Sequence, residues 1–421
     1  TLERNSNATQ QLSHSATQPL SHSATQPLEP NMIAADNRRA VQSASIAFLS
    51  FAAPIAMLGV IWPDVRERFD QSLGALGVAA LVYGLGRAPM ALSGPTLVRW
   101  FGMGRAFVVV LSVLALAVMS MALATTWPVF LISLTCVGLA SGTIDSLGAG
   151  FITAIRDVGS SGLVHGAYGV GATLGPLIVV AVSSWRLALG ISGAIVIAAA
   201  LVALRSQQAW PDIVPHVRKT GSRLPFAPAA LSLGAFGAFV GMEVTTGQWA
   251  FTQLTEGRHA GDALAAVAVA LFWGGLAIGR LVLIRPSVRE MADRVGLSRL
   301  ALGSLCCVAS LAFVPPGLAV VGLAFAGLTL APIVPTLFAS TATRVGADHA
   351  QRLAVLQLLA TNIGGIGLPF LTGQLVDAME PSVIIIVIVV AAAIGALLLG
   401  AIERLPIRTS VAPLHVTQLP S

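Results

Sequence analysis

The chain has 421 residues, of which 55% are hydrophobic and 10% charged, and its mean hydropathy is +0.83. A soluble globular domain carries about 25% charged residues, so the composition excludes one and describes a polytopic helical membrane protein. The net charge of +6 would suit a nucleic-acid partner, but its distribution along the chain serves membrane topology instead.

Residues 1–39 are polar and rich in Ser, Thr and Gln, and Ser-His-Ser-Ala-Thr-Gln-Pro-Leu occurs twice in tandem, at Ser13–Leu20 and Ser21–Leu28. Such low complexity cannot bury a core and reads as a disordered tail. Duplication of the repeat accounts for His14 and His22 better than metal binding does. No basic segment followed by an apolar core opens the chain, so no cleaved leader is expected. From residue 43 onward twelve apolar runs reach membrane-spanning length, near 43–62, 74–97, 105–124, 128–152, 162–183, 186–204, 228–250, 262–284, 299–316, 318–340, 353–375 and 382–402. The longest connection, Arg205–Pro225, is polar, contains proline, holds the only lysine, Lys219, and divides the runs six and six. The expected organisation is a disordered tail over 1–39, a six-helix bundle over 40–204, a cytoplasmic linker over 205–225, a second six-helix bundle over 226–404 and a cytoplasmic tail over 405–421. Cys136, Cys306 and Cys307 all fall in apolar runs and read as small packing residues.

Basic residues set the orientation. With a cytoplasmic N-terminus, seventeen of the 24 lysines and arginines fall in inner segments, and only Arg66, Arg68, Arg186 and Arg258 fall in outer loops. This bias predicts a multi-pass protein of the plasma (inner) membrane with both termini cytoplasmic. It also removes the need for nucleic acid. The two halves repeat. Gly171 and Pro176 of run 5 recur as Gly364 and Pro369 of run 11, and Gly86-Arg87 of run 2 recurs as Gly279-Arg280 of run 8, all at an offset of 193. Gly102 and Arg105 recur as Gly296 and Arg299 at 194. Two parallel six-helix repeats suit a solute carrier in which similar bundles rock about a central site.

Of the 18 acids, Asp145 and Glu243 alone lie well within runs. A carboxylate at membrane depth costs roughly 2.5–3.5 kcal/mol on insertion scales, and persists where it faces a cavity or a partner. Both are therefore candidates for proton coupling. The alternatives are a fixed ion pair for Asp145 and a helix–helix hydrogen bond for Glu243. Arg87, near mid-membrane in run 2, is the charge partner of Asp145, an anion-binding group for a carboxylated solute, or a structural residue snorkelling inward. Its repeat mate Arg280 reads as a structural helix-end residue. His165, at a depth like that of Asp145, is either a proton relay or a hydrogen-bonded helix-end histidine. Gln248, Trp249, Trp273, Gln357 and Asn362 join Arg87 as candidate solute-binding groups. With two tyrosines and few amides in the runs, the cavity reads as less polar than a sugar site needs, which favours a moderately hydrophobic solute or an exporter. Trp62 and Trp127 lie at run ends and read as interfacial anchors. Pro54, Pro89, Pro332 and Pro335 interrupt runs 1, 2 and 10, and the last two mark run 10 as the main bending element.

The loop Ser93-Gly94-Pro95-Thr-Leu-Val-Arg99-Trp-Phe-Gly102-Met-Gly104-Arg105 resembles the Gly-rich, basic signature of the major facilitator superfamily. Val98 or Arg99 stands where that signature has an aspartate, which puts the charge clasp this aspartate supports in question here. The second-half copy, Met291-Ala-Asp293-Arg294-Val-Gly296, keeps its acid. The resemblance implies gating or structural roles for Gly94, Arg99, Gly102, Arg105, Arg280, Asp293 and Arg294, beside Pro332 and Pro335. Within the superfamily, Gly142-Thr-Ile-Asp145, Leu163-Val-His165-Gly-Ala-Tyr168 through Pro176, Gly241-Met-Glu243 through Trp249, and Phe272-Trp273 through Arg280 are similar to the fucose-permease-like group. That implies an all-α integral membrane fold of twelve transmembrane helices in two six-helix bundles, a cavity lined by spans 1, 4, 7 and 10, and proton-linked transport; the substrate does not transfer. No His-Glu-x-x-His, Gly-x-Ser-x-Gly, P-loop or Cys/His cluster appears in the runs, so neither an enzyme nor an ATP-driven pump is expected. The expectation is a monomeric transporter in the lipid bilayer that moves a small-molecule solute with protons and uses no cofactor or metal. A proton-antiport exporter of drugs or metabolites is the main alternative, ahead of a uniporter or a non-transporting sensor.

Overall fold

The computed structural model describes residues 30–90, 93–155, 158–210 and 224–405. The tandem repeat, most of the linker with Lys219, and the C-terminal tail lie outside them. Among the described residues nine helices are long and apolar enough to cross a bilayer, and three bent pairs bring the number to twelve. Span 1 is Pro30–Ala56 continued, at a 45° bend, by Leu58–Arg68. Span 2 is Ala75–Met90, with the short helix Gly94–Phe101 after it. Spans 3 to 6 are Met103–Ala122, Trp127–Ile155, Val158–Val182 and Trp185–Ser206; spans 7 and 8 are Phe226–Thr255 and Asp262–Val282. The short helix Pro286–Val295 then meets span 9, Leu297–Phe313, at 83°. Span 10 begins at Pro316, stops at Leu330 and resumes after Pro332 as Ile333–Ala339; the bends above 40° among the described residues lie at spans 1, 2 and 9, so span 10 is not the main bending element. Spans 11 and 12 are Ala347–Ala378 and Val383–Glu403. Helix is the form that lets an apolar segment satisfy every backbone group within itself. The helix of span 1 begins at Pro30, upstream of its apolar run.

In the first half span 1 packs on span 5, span 2 on span 4, and span 3 on spans 4 and 6. In the second, span 7 packs on spans 11 and 12, span 8 on span 10, and span 9 on spans 10 and 12. These are the two six-helix bundles. Small residues set how closely the helices approach. A Cβ on Gly86, Gly138 or Gly142 would strike the facing backbone at Thr135, Tyr83 or Arg87, which draws span 4 against span 2. The repeat does the same with Gly275, Gly279 and Gly327 between spans 8 and 10.

Chain direction alternates, so odd spans start, and even spans end, at one face, called the near face; the other is the far face. Toward the far face span 2 closes on span 11 from Gly74 against Gly373 to Gly84 against Ile366, and span 1 closes on span 7 at Gly59 against Gln248. Toward the near face span 5 meets span 8 at Gly162 against Ile284 and Gly169 against Ala277. The far rim is also tied by polar contacts. Asp377 accepts from the Ser72 hydroxyl and from the Gly74 N–H, both at 2.7 Å, and Arg66 pairs with Glu256 at 3.2 Å. Trp62 is not an interfacial anchor: it is fully buried, its indole N–H donates to the Leu73 carbonyl, and its ring meets Trp127.

Candidate functional site

Between the halves, at mid-span, lies a cleft whose walls come from spans 1, 2, 5, 7, 8 and 11. Its polar lining is Tyr83 and Arg87 from span 2, Tyr168 from span 5, Gln248 from span 7, Trp273 from span 8, and Thr361 and Asn362 from span 11. The walls outline about 620 Å³ but leave about 40 Å³ of free volume, room for a few waters. A solute of any size must spread them. The chain has two tyrosines, and both stand at this cleft, although most of its accessible lining is apolar. Two polar atoms there have no partner: the carboxamide oxygen of Gln248 and the indole N–H of Trp273, on residues 4% and 5% exposed. Gly247 makes the room for the Trp273 ring, since a Cβ there would meet the indole.

Among the described residues, each half carries one carboxylate–arginine pair within its spans. In the first, Nε and Nη2 of Arg87 both donate to Oδ2 of Asp145, the former at 3.1 Å. The close seam between spans 2 and 4 is what brings them together. This pair is partly open, with side chains 33% and 27% exposed. In the second half Nη2 of Arg280 lies 3.3 Å from both oxygens of Glu243, and these side chains are only 16% and 12% exposed. Arg280, which reads from sequence as a structural helix-end residue, is here the partner of Glu243. The arginines are repeat-related, but the acids are not: the offset that carries Arg87 to Arg280 carries Asp145 to Phe338 and brings Glu243 back to Ser50. Repeat comparison therefore could not find the second pair; the intramembrane position of Glu243 was the available signal. His165 sits outside the cleft, edge-on to Phe48 at 5.7 Å, within electrostatic range of both Arg280 and Asp145.

Two expected solute-binding groups are spent elsewhere. Trp249 is fully buried and donates its indole N–H to the Pro369 carbonyl, tying span 7 to span 11. Gln357 is fully buried between Ser232 and Thr341, at 2.7 and 3.1 Å from their hydroxyls. Arg87, Gln248, Trp273 and Asn362 do line the cleft. Of the near-face residues, Gly94 donates its N–H to the Ser146 hydroxyl at 3.0 Å, which anchors the loop to span 4. Gly102 and Gly296 share one left-handed backbone geometry at the starts of spans 3 and 9, with φ of 75° and 85°. Arg99, Arg105 and Asp293 are exposed, and Arg294 pairs with Glu290 one turn away at 3.7 Å, on the surface. Among the described residues no group of three His, Cys, Asp or Glu is placed to hold a metal.

Paired helical bundles with a polar cleft between them define a multi-pass membrane transporter, not an enzyme. The sequence profile of the Major Facilitator Superfamily matches residues 44–369, and the chain belongs to that superfamily. The nucleoside transporter NupG aligns over 86% of this chain and 99% of its own, with a TM-score of 0.66 and 13% identity. The fucose:proton symporter FucP of E. coli aligns over 86% and 99%, with a TM-score of 0.57 and 16% identity. The human organic anion transporter MFSD10 (TETRAN) aligns over 86% and 99%, with a TM-score of 0.62 and 12% identity. At these identities the likeness is one of fold. No curated protein matches the chain significantly in sequence.

Proposed function

We propose that this chain is a secondary active transporter that moves a small organic solute by alternating access, with proton movement coupled through Asp145, Glu243 or both. The observation that carries the reading is the pair of carboxylate–arginine contacts within the spans, one in each half, beside the cleft between the halves. While both acids are ionised, each arginine is matched and the cleft carries no net charge from the pairs. A proton on either acid leaves a guanidinium without its counter-charge, a costly state inside a protein. The arginine must then take another partner: a solute oxygen, water admitted by opening, or a group presented as the halves rock. Asp145 is the more exposed of the two acids, and among the described residues nothing donates to its Oδ1, so it is the one that a proton or a solute reaches more easily.

The Gln248 oxygen and the Trp273 N–H offer a solute one acceptor and one donor, and the tyrosines add hydroxyls. This lining favours a polar solute over the hydrophobic drugs of the exporter reading. The description of FucP as a fucose:proton symporter agrees with both parts of the proposal. The arginine bias supports a plasma-membrane protein with both termini cytoplasmic, so that the near face is the cytoplasmic one. We take it as a monomer without a nucleic-acid partner.

The test is internal pH in proteoliposomes on adding sugars, nucleosides, carboxylates or amphipathic drugs, with wild type beside Asp145→Asn and Glu243→Gln. The expected result is a pH change for one polar solute class in wild type, lost in Asp145→Asn while the solute still binds. Gradient-driven accumulation by Asp145→Asn at the wild-type level would remove Asp145 from coupling. Solute flux without any pH change would mean facilitated diffusion.

A further inference from the structure

We propose, resting on the reading of Asp145 as a coupling acid, that the solute is a small organic monoanion whose carboxylate takes the place of Asp145 on Arg87. Among the described residues that line the cleft, Arg87 is the only charged one. Asp145, Glu243 and Arg280 stand outside the lining. The Arg87 guanidinium is within electrostatic range of Tyr83 and Tyr168, which line the cleft with it. Its hold on Asp145 is incomplete. A guanidinium presents a planar fork of donors that fits both oxygens of a carboxylate at once. Here Nε and Nη2 share the one oxygen Oδ2, and among the described residues nothing accepts from Nη1. The side chain also keeps 33% of its exposure. Arg280 is more buried and lies off the cleft, so its pair with Glu243 stays fixed while Arg87 changes partner.

The charge balance makes the exchange a coupling device. A proton from solution binds Asp145 at Oδ1, the oxygen to which no described group donates. Alone, that proton leaves Arg87 unmatched, a costly state. Alone, the anion would set two negative charges on one guanidinium. Together they leave the site as neutral as the ion pair was. One proton and one monoanion therefore cross as a neutral couple, and each favours binding of the other equally. The body of the solute follows from the remaining walls. Tyr168 meets Trp273 edge-on at 6.4 Å, and Trp273 lies against Gly247, next to Gln248. Ile55, Val240 and Val244 add apolar surface. An apolar or aromatic body behind the carboxylate suits this lining. The charged and titratable groups facing Asp145 are Tyr83 and Arg87 of span 2 and His165 and Tyr168 of span 5. Of the other elements packed on span 4, the short helix after span 2 brings Arg99, span 3 brings Arg105, and the described part of span 1 brings Arg38 and Arg39, all toward the near face.

The experiment measures equilibrium dialysis with the full-length protein in detergent at about pH 6 and about pH 8, and uptake into proteoliposomes corrected for protein-free vesicles. The probes are lactate, gluconate, phenylacetate and 4-hydroxybenzoate, each beside its neutral amide. At least one carboxylate is expected to bind about tenfold more tightly than its amide at the lower pH, and about tenfold more tightly there than at the higher pH. Asp145→Asn frees Arg87 permanently, so it should hold that carboxylate equally well at both pH values. Asp145→Asn combined with Arg87→Gln keeps the pair neutral and should lose the preference for acid over amide. Uptake should follow a pH gradient and ignore a potassium diffusion potential set with valinomycin. Amides bound as tightly as acids throughout the panel overturn the proposal. So does pH dependence that survives in Asp145→Asn, which would assign the switch to another group such as His165. A sugar or nucleoside that carries protons and net charge, with every carboxylate inert, overturns the anion and leaves proton coupling standing. Absence of a pH change with any solute overturns both.

Discussion

Arg87 and Arg280 make the same kind of contact at different burial, and the difference sets what each is worth. Removing one partner of a fully buried pair costs about 3–5 kcal/mol, because the other charge stays behind unmatched. Arg280 and Glu243 are close to that limit, while the Arg87 and Asp145 side chains keep about a third of their exposure, so water screens them. Arg280→Ala is therefore expected to lose about 3 kcal/mol and Arg87→Ala about 1–2 kcal/mol, read from melting in detergent. Adding Asp145→Asn to Arg87→Ala should return most of that loss; if the two losses simply add, the pair contributes nothing as a pair. The Asp145–Arg87 contact was one of three roles that the sequence leaves open for Arg87, since both are rare charges within apolar runs. The second pair escaped because Arg280 reads from sequence as a helix-end residue, which leaves Glu243 without an assigned partner, and neither acid has a repeat mate to point to it. Trp249 and Gln357 were misassigned for another reason. A polar side chain in an apolar run reads the same whether it faces a cleft or satisfies a neighbouring helix, and only packing separates Gln248, on the cleft, from Trp249, which ties span 7 to the Pro369 carbonyl.

At the scale of the helix, close approach does the positioning. Gly142 lies against the Arg87 backbone one turn before Asp145 on the same helix, so its missing side chain holds the pair in register. Gly142→Ala should cost about 1–3 kcal/mol through the displaced seam, and should weaken proton coupling although it changes no polar group. Gly190 on span 6 has nothing within 4 Å of its would-be Cβ, so Gly190→Ala is the control, expected to be neutral or to gain up to about 1 kcal/mol from backbone entropy. Equal melting shifts for the two would remove the seam from the account. Helix ends also explain two of the four exceptions to the arginine bias. Arg186 donates to the carbonyls of Ala122 and Ala124 at the end of span 3, and Arg258 to those of Leu311 and Val314 at the end of span 9. Each satisfies the unpaired carbonyls of a far-face helix end. Twelve apolar runs and the proline break in span 10 were legible because length and proline act locally. Those arginine caps were not, since each joins residues more than fifty positions apart.

The whole molecule is held shut on its far side by contacts that cross between the halves. Glycine-to-backbone packing joins span 2 to span 11 and span 1 to span 7, and Asp377 with the Arg66–Glu256 pair closes the rim. Asp377 takes two hydrogen bonds from Ser72 and Gly74, and as a charged acceptor each is worth about 1.5–3 kcal/mol at most, less at an exposed rim. Arg66–Glu256 is an exposed pair and contributes under about 1 kcal/mol. Asp377→Ala should therefore loosen the far face more than Glu256→Gln does. With the native cysteines replaced, spin labels on Gln71→Cys and Glu380→Cys would report the separation between the rim of span 2 and that of span 11. The long-distance population is expected to rise about tenfold in Asp377→Ala, the equivalent of about 1.4 kcal/mol, and only slightly in Glu256→Gln. If the halves rock as proposed, the wider rim must come with a lower affinity for solute offered from the near face, because one cleft cannot serve both faces at once. A rim that widens in Asp377→Ala without changing near-side affinity would separate the Asp377 contact from solute access and leave it a local tie between two helices.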